Sequence, residues 1–491
     1  MSAPFSVVLV TVDCLRADHA SFLGYERPTT PFLDSLAQES FVVPNTIVGG
    51  VPTYYSFPAI LASRPPLAIG RDVVGITPGE TTLATWFKQC GYSTAGFVAA
   101  NPYVSSKFGY DQGFDKFQDF LDQPLTTIGA GSGGVRTKMN RALERFCRGF
   151  KPLGAVYDEL YFRYCQRAVP QVSSVDSLRQ YPAADVVVDS ALEWLASIGS
   201  DPFFLWIHLM DPHAPYYPGE AALRSFGART SSPSRQRYLN SFWNRSDIGP
   251  NRLRLKRDSV LDLYDAGIRW VDMQMARLVD SLRSLDLWNR CALAFTADHG
   301  EEFLEHGGRF HAPGTMKEEL IRVPLLVRIP DLPGGRMSRQ PFSHLDFAPT
   351  LLEALSLQVP DSFRGRSRWR EWSNGDDREL VAIVESAECV NPNRSEERLA
   401  PRVLCIRSER YKLVLHFAQD TMELFDLHED PAEKQPLPDH VEVNTRRRLL
   451  EHARQHIENN GMPRASKFWL RARLRELRFH LPEAASASSL N

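Results

Sequence analysis

The chain has 491 residues, of which 43% are hydrophobic, 24% charged and 11% aromatic, with a formal net charge of −2. This is the composition of a globular protein with one large domain and a small one. It excludes a disordered chain, a collagen-like repeat and a nucleic-acid binder that works through excess positive charge. No apolar run reaches the ~18 residues of a membrane span. The first apolar stretch, Phe5 to Val12, lacks the basic start and small-residue cleavage site of a secretion signal, so it reads as a strand.

Taken in chain order, the strand-like runs are Ser6–Val12, Thr94–Ala99, Phe203–Leu209, Ala292–Thr296 and Pro324–Ile329. Each is continuous and apolar, as strands covered on both faces are. Helical patterns fall between them. Thr30-Pro31 opens a helix over Phe32–Glu39, Tyr54–Ser63 follows a Gly-Gly-x-Pro turn, and Thr81–Gln89 closes near Gly91. Ala183–Ile198 and Asp258–Leu285 carry apolar stripes at helical spacing. This alternation predicts a layered α/β sheet.

Residues 120–180 read as an insertion, and the polar, Ser- and Arg-rich stretch 215–257 reads as a long loop. From about 375 the pattern changes. Leu380–Glu385, Val403–Ser408 and Tyr411–His416 predict a small antiparallel sheet, 444–478 reads as helical, and 483–491 as frayed. The expected organisation is therefore a domain over 1–375, a small sheet over 376–435 and a basic helical tail over 436–491. The tail combines Arg464, Lys467, Arg471, Arg473, Arg475 and Arg478 with Phe468, Trp469, Leu470, Leu474 and Leu477. It predicts a packed helix with a solvated basic face, with weak peripheral membrane contact as the alternative.

Seven cysteines, at 14, 90, 147, 165, 291, 389 and 405, form no C-x-x-C pair. The odd count favours reduced thiols and a cytoplasmic location. The N-x-S triplets at Asn244 and Asn393 read as chance matches. The Gly-rich segment 129–134 lacks the G-K-[ST] ending of a phosphate loop and reads as a linker.

Four clusters carry chemistry. Asp13 directly follows the first strand, and Asp298-His299-Gly300-Glu301 directly follows another. Ligands collect at the carboxyl ends of strands in open α/β sheets, and an adjacent acid and imidazole suit Zn²⁺ or Mn²⁺ better than Ca²⁺. His208, Asp211 and His213 follow a third strand, and His306 and His311 lie just beyond the second cluster. Five of the thirteen histidines fall in these short segments, a concentration at strand ends that points to a site rather than to scattered surface or core histidines. Thr53 opens a helix, where free N–H groups and the dipole favour negative charge. On the residues alone it reads as a plain capping threonine, with nucleophile as the alternative.

Together and in order, these segments resemble the sulfatase family of the alkaline-phosphatase superfamily. The resemblance runs through V-T-V-D-C-L-R-A-D, G-Y-E-R-P-T-T-P-F-L-D-S-L-A, D-P-H-A-P-Y, T-A-D-H-G-E-E-F-L-E-H-G, E-E-L-I-R-V-P-L-L-V-R and E-L-F-D-L-H-E-D-P. It implies a mixed sheet sandwiched by helices with a small C-terminal antiparallel sheet, Asp13, Asp298 and His299 as metal ligands, and Thr53 as the nucleophile and a further ligand. Sulfatases carry C-x-P-S-R or S-x-P-S-R, whose first residue becomes formylglycine; here T-Y-Y-S-F stands in that place. Threonine cannot be so converted. Cys14 stands where many sulfatases have a second metal-binding aspartate, and His311 lies near the family's sulfate-binding lysine.

A threonine beside Asp-His ligands resembles the branches that cleave phosphate and phosphonate esters with zinc or manganese. The expectation is thus a metal-dependent hydrolase acting on a small-molecule or headgroup ester, with one cation and room for a second. His213 and His311 would bind non-bridging oxygens or protonate the leaving group, or with Asp211 hold the second cation. Asn101 and Asp211 are expected to contact substrate, and the cavity walls to come from 101–180 and 214–257. The alternatives are a sulfatase acting without formylglycine, a phospho-headgroup transferase, or an inactive metal-binding homologue.

Overall fold

The computed structural model describes residues 5–67, 75–121, 151–168, 174–199, 201–226, 232–374, 380–388, 402–459 and 464–479. The Gly-rich segment 129–134, Cys147, Cys389, Asn393 and residues 483–491 lie outside them.

The continuous apolar runs form the middle of an eight-stranded mixed sheet. Its order is Arg336–Met337, Phe41–Val42, Leu325–Arg328, Cys291–Ala297, Ser6–Val12, Phe203–Leu209, Ser93–Val98 and Lys116–Gln118. Ser6–Val12 is central and parallel to both neighbours, with Val12 opposite Leu209 on one side and Ala297 on the other. Leu325–Arg328 runs antiparallel to Cys291–Ala297. Alternating residues of the central strand feed two separate cores: Val8, Val10 and Val12 join one layer and Val7 and Leu9 the other. Each such fully buried aliphatic side chain is worth roughly 2 kcal/mol of burial, which accounts for the uninterrupted apolar spelling.

The helices flank this sheet. Pro31–Ala37, Leu83–Gln89 and Ala184–Ser197 lie within a few residues of the predicted spans, and Thr53–Ala62 is fully buried. Thr53 is the first residue of that helix and Pro52 its cap, so the capping-threonine reading is corrected by one position. The predicted loop over 215–257 is corrected further. It holds helices Glu220–Ser225 and Pro233–Trp243 and the start of a 35-residue helix, Pro250–Ser284. Start signals were present: Ser232 caps the second by accepting from Arg235 N, and Pro233 and Pro250 occupy first-turn positions. Within the expected insertion, Lys151–Ala168 is helical.

The C-terminal sheet has four antiparallel strands, one more than predicted: Ala382–Ala387, Arg402–Arg407, Tyr411–His416 and Thr421–Asp426. Val384, Val403 and Cys405 on one face join the main core. Leu404, Leu413 and Leu415 on the other pack against helix Val443–Asn459 and, through Leu470 and Leu474, against Arg464–Phe479. That packing buries Leu470 and Leu474 of the basic tail and leaves Phe468 exposed. Among the described residues no helix is long and apolar enough to cross a membrane, and Cys14, Cys90, Cys165, Cys291 and Cys405 are free.

The strand Ala382–Ala387 braces two loops of the large sheet at once. Ser386 Oγ donates to the Val51 carbonyl at 2.5 Å and accepts from Gly314 N at 3.2 Å, while Glu385 N donates to the Gly49 carbonyl at 2.9 Å. A Cβ on Gly49 would meet Ala59 Cβ at 2.4 Å, and one on Gly50 the Glu385 carbonyl at 2.3 Å. The two glycines therefore allow the turn before Thr53 to be pressed between its own helix and this strand. Ser386→Ala leaves a buried carbonyl and N–H unpaired. Thermal or urea unfolding should register a loss of about 1–3 kcal/mol.

Candidate active site

Asp13 and Asp298 extend adjacent parallel strands, so their carboxylates emerge side by side at the carboxyl edge of the sheet. Asp13 N donates to the Leu209 carbonyl at 2.8 Å and Asp298 N to the Val12 carbonyl at 3.3 Å. Both side chains are fully buried. Thr53 reaches the same point from its helix, with Oγ1 3.0 Å from His299 Nε2 and 3.5 Å from Asp13 Oδ2. His299 Nε2 lies 3.7 Å from Asp13 Oδ1 and 3.5 Å from Asp298 Oδ2. One ligand atom each from Asp13, Asp298 and His299 fall within 4.8 Å of one another.

Electrostatics at this point are those of an anion pair short of positive charge. Burial would raise the Asp13 carboxyl, but His213, His208 and His299 outweigh it and hold the group well below its ordinary range. Asp298 goes the other way, pushed up by burial and by the neighbouring Asp13 charge. Its Oδ2 is buried with no hydrogen-bond partner. Burial, with His311 nearby, lowers His299 to about 4, so its ring is neutral at physiological pH. A neutral imidazole, two facing carboxylates and an unsatisfied carboxylate oxygen fit a divalent cation.

Around this centre stand the other expected residues. His311 Nδ1 pairs with Glu301 Oε2 at 2.9 Å, and Tyr216 OH donates to Glu301 Oε1 at 2.9 Å. Burial opposes a charge on His311, but Glu301 raises its pKa above the ordinary value. His213 turns Nδ1 to the Ala214 carbonyl, and its ring lies 5.1 Å from that of His311. The His213 loop is held by Tyr181, whose OH donates to the His213 and Pro215 carbonyls at 2.6 and 3.0 Å. Asn101 Nδ2 donates to Asp13 Oδ2 at 3.0 Å, so it orients Asp13 as well as lining the cavity.

Thr53, Asn101, His213 and His311 open onto one cavity of about 940 Å³, walled also by Tyr54, Tyr103, Arg179 and Tyr181. The expected wall from 214–257 is corrected: among the described residues of that stretch, Ala214 alone reaches it. Asp211 is not brought to the cation group; it is buried in an ion pair with Arg179 at 3.0 Å. His208 sits beneath Asp13, its Nδ1 3.0 Å from Thr11 Oγ1, and His306 faces Glu319 at 3.2 Å away from the centre. Glu301 and Arg179 were not among the expected site residues. For Glu301 the signal was present, since it shares the Asp298-His299 segment; for Arg179 none was, because its pairing with Asp211 is made only in the fold.

Residues 6–357 match the family model described as Sulfatase, and residues 305–459 one described as N-sulphoglucosamine sulphohydrolase, C-terminal. Arylsulfatase K of Xenopus laevis is 26% identical over 279 residues, half the length of each chain. An arylsulfatase of Clostridium perfringens is 23% identical over 411 residues, covering 76% of this chain and 81% of that one. The crystal structure of a phosphonate monoester hydrolase of Agrobacterium radiobacter shares the fold, with a TM-score of 0.63 and 19% identity over 93% of this chain and 95% of that one. With a family match over more than two thirds of its length and the acid-imidazole centre at the carboxyl edge of a mixed sheet, the chain belongs to the sulfatase family of hydrolases, within the alkaline-phosphatase superfamily.

Proposed function

We propose that this hydrolase cleaves phosphate or phosphonate esters through a covalent intermediate on Thr53. The observation that carries the reading is the position of Thr53 Oγ1. It lies 3.0 Å from His299 Nε2 at the first turn of a ten-residue helix, on the wall of the cavity. Asp13, Asp298 and His299, with the Thr53 oxygen, would hold one Zn²⁺ or Mn²⁺. Such a cation supplies the positive charge that makes a threonine hydroxyl acidic enough to react and polarises the ester.

The chain's own residues then divide the work. Thr53, its hydroxyl proton released to solvent when the cation is bound, attacks phosphorus in line through Oγ1; the new bond to phosphorus forms as the bond to the leaving oxygen breaks. His311, kept protonated by Glu301, gives its proton to that oxygen. His213, across from it, meets a non-bridging oxygen. Water then attacks the phosphothreonine, His311 takes the water's proton, and Thr53 is restored. Asn101 keeps Asp13 turned to the centre, and Asp211 balances the charge of Arg179 on the cavity wall.

A sulfate monoester is the second reading, favoured by the names of the curated relatives and by the C-terminal family match; it would use Thr53 in the same way. An inactive, cation-holding role fits less well, since the donor set and Thr53 are intact; transfer of a phospho-headgroup would use the same residues, with an acceptor hydroxyl in place of water. Free thiols suit a cytoplasmic enzyme. A panel of phosphate monoesters and diesters, phosphonates and sulfate esters separates these readings; phosphorus esters should be turned over fastest.

Thr53→Ala should leave the fold and bound cation in place yet cost ~10³-fold or more in kcat, about 4 kcal/mol of barrier. Thr53→Ser should keep part of the rate. An alanine variant within tenfold of the parent would place the nucleophile elsewhere. Asp298→Ala should remove about one equivalent of tightly bound Zn²⁺ or Mn²⁺ per chain, measured by elemental analysis, and abolish turnover with it.

A further inference from the structure

Cys14 is a donor at the centre that the proposed mechanism leaves unused. It follows Asp13 with φ +61°, a left-handed conformation that residues other than glycine adopt at a cost. The turn places its thiol among polar donors, fully buried. Sγ lies 3.1 Å from Asp13 Oδ1, 3.4 Å from His311 Nδ1 and 3.9 Å from His299 Nδ1. One ligand atom each from Asp13, Cys14 and His213 fall within 4.8 Å of one another. This donor set differs from Asp13, Asp298 and His299 and shares only Asp13 with it.

The imidazoles are fixed in the way ligating histidines are fixed. His299 Nδ1 bonds the Gly300 carbonyl at 2.8 Å, His213 Nδ1 the Ala214 carbonyl and His311 Nδ1 the Glu301 carboxylate. A ring whose Nδ1 donates to a carbonyl presents the lone pair of Nε2 to a ligand. For His299 that nitrogen serves Thr53 and the carboxylate pair. For His213 it is left for the side of the centre where Cys14 lies. A buried cysteine usually acts as a small apolar filler; three polar neighbours within 4 Å of this sulfur do not suit that role.

We propose that Asp13, Cys14 and His213 form a second cation site, sharing Asp13 with the first, whose sulfur ligand selects a thiophilic ion such as Zn²⁺ over Ca²⁺ or Mg²⁺. The inference rests on the reading of the first site given above. Binding forms a sulfur–metal bond and breaks the S–H bond, releasing its proton to solvent. In the two-ion enzyme His213 is a ligand rather than a contact of the non-bridging oxygen, and His311, paired with Glu301, still gives the proton to the leaving group. Soft sulfur ligation also distinguishes this edge from an all-oxygen site.

The test is titration of the metal-stripped full-length protein with Co²⁺, read by metal count and by absorbance. The parent should take up two ions per chain and develop a near-ultraviolet thiolate-to-cobalt charge-transfer band. Cys14→Ser should hold one ion without the band, and Asp298→Ala should hold one ion with it. Cys14→Asp, which restores an oxygen donor, should hold two ions without the band and decides the matter if the serine variant does not fold. One ion and no band in the parent, lost in Asp298→Ala, would overturn the second site and leave the first standing. Two ions with no band would overturn sulfur ligation. An uptake unchanged by Asp298→Ala would overturn both readings.

Discussion

Two carboxylates set side by side in a dry site are the constraint on which the centre depends. Asp13 and Asp298 are held at the ends of neighbouring parallel strands and cannot move apart without breaking the central register. Like charges so placed repel, and burial removes the water that would screen them. The fold's answer is a ring of imidazoles around Asp13 and an amide from Asn101. That ring lowers one carboxyl but leaves the other raised, with an oxygen unsatisfied. A divalent cation would resolve the imbalance, and the hydroxyl beside it, that of Thr53, is the group whose chemistry such a cation would change.

The rest of the molecule holds this small cluster in register. Three loops of the large sheet deliver Asp13, Asp298 with His299, and His213, while the Thr53 helix enters from one face. The C-terminal sheet reaches back to clamp the turn before Thr53 and the loop after His311 through Ser386. Below it, Lys412 is fully buried between Glu433 and Glu318 and donates to the Met316 carbonyl at 2.8 Å, further fixing the segment that carries His311. Rigid elements under the site and a second layer of hydrogen bonds on each imidazole are what a preorganised catalytic centre requires.

Much of this was legible in the sequence because the strands are spelled without interruption. Ser6–Val12 and Phe203–Leu209 were read to the residue, and acids directly after strands marked the centre. Where the spelling is mixed, reading failed. Thr421–Asp426 alternates polar and apolar residues at a sheet edge, and Glu220–Trp243 is polar enough to pass for a loop despite its Ser-Pro start. Asp211, beside His213 in sequence, reads as a substrate contact or a ligand of a second cation. Strand geometry instead turns it to Arg179, 32 residues earlier in the chain. Long-range pairings such as Arg179–Asp211 and Ser386–Val51 leave no local pattern, so only the fold discloses them.

Passage of phosphorus through Thr53 would leave its mark in the stereochemical course at a phosphorus made chiral with oxygen isotopes or sulfur. Two successive in-line displacements, first by Thr53 and then by water, predict overall retention of configuration. Inversion would mean a single attack by water, and Thr53 would then be a ligand or a binding group rather than the nucleophile.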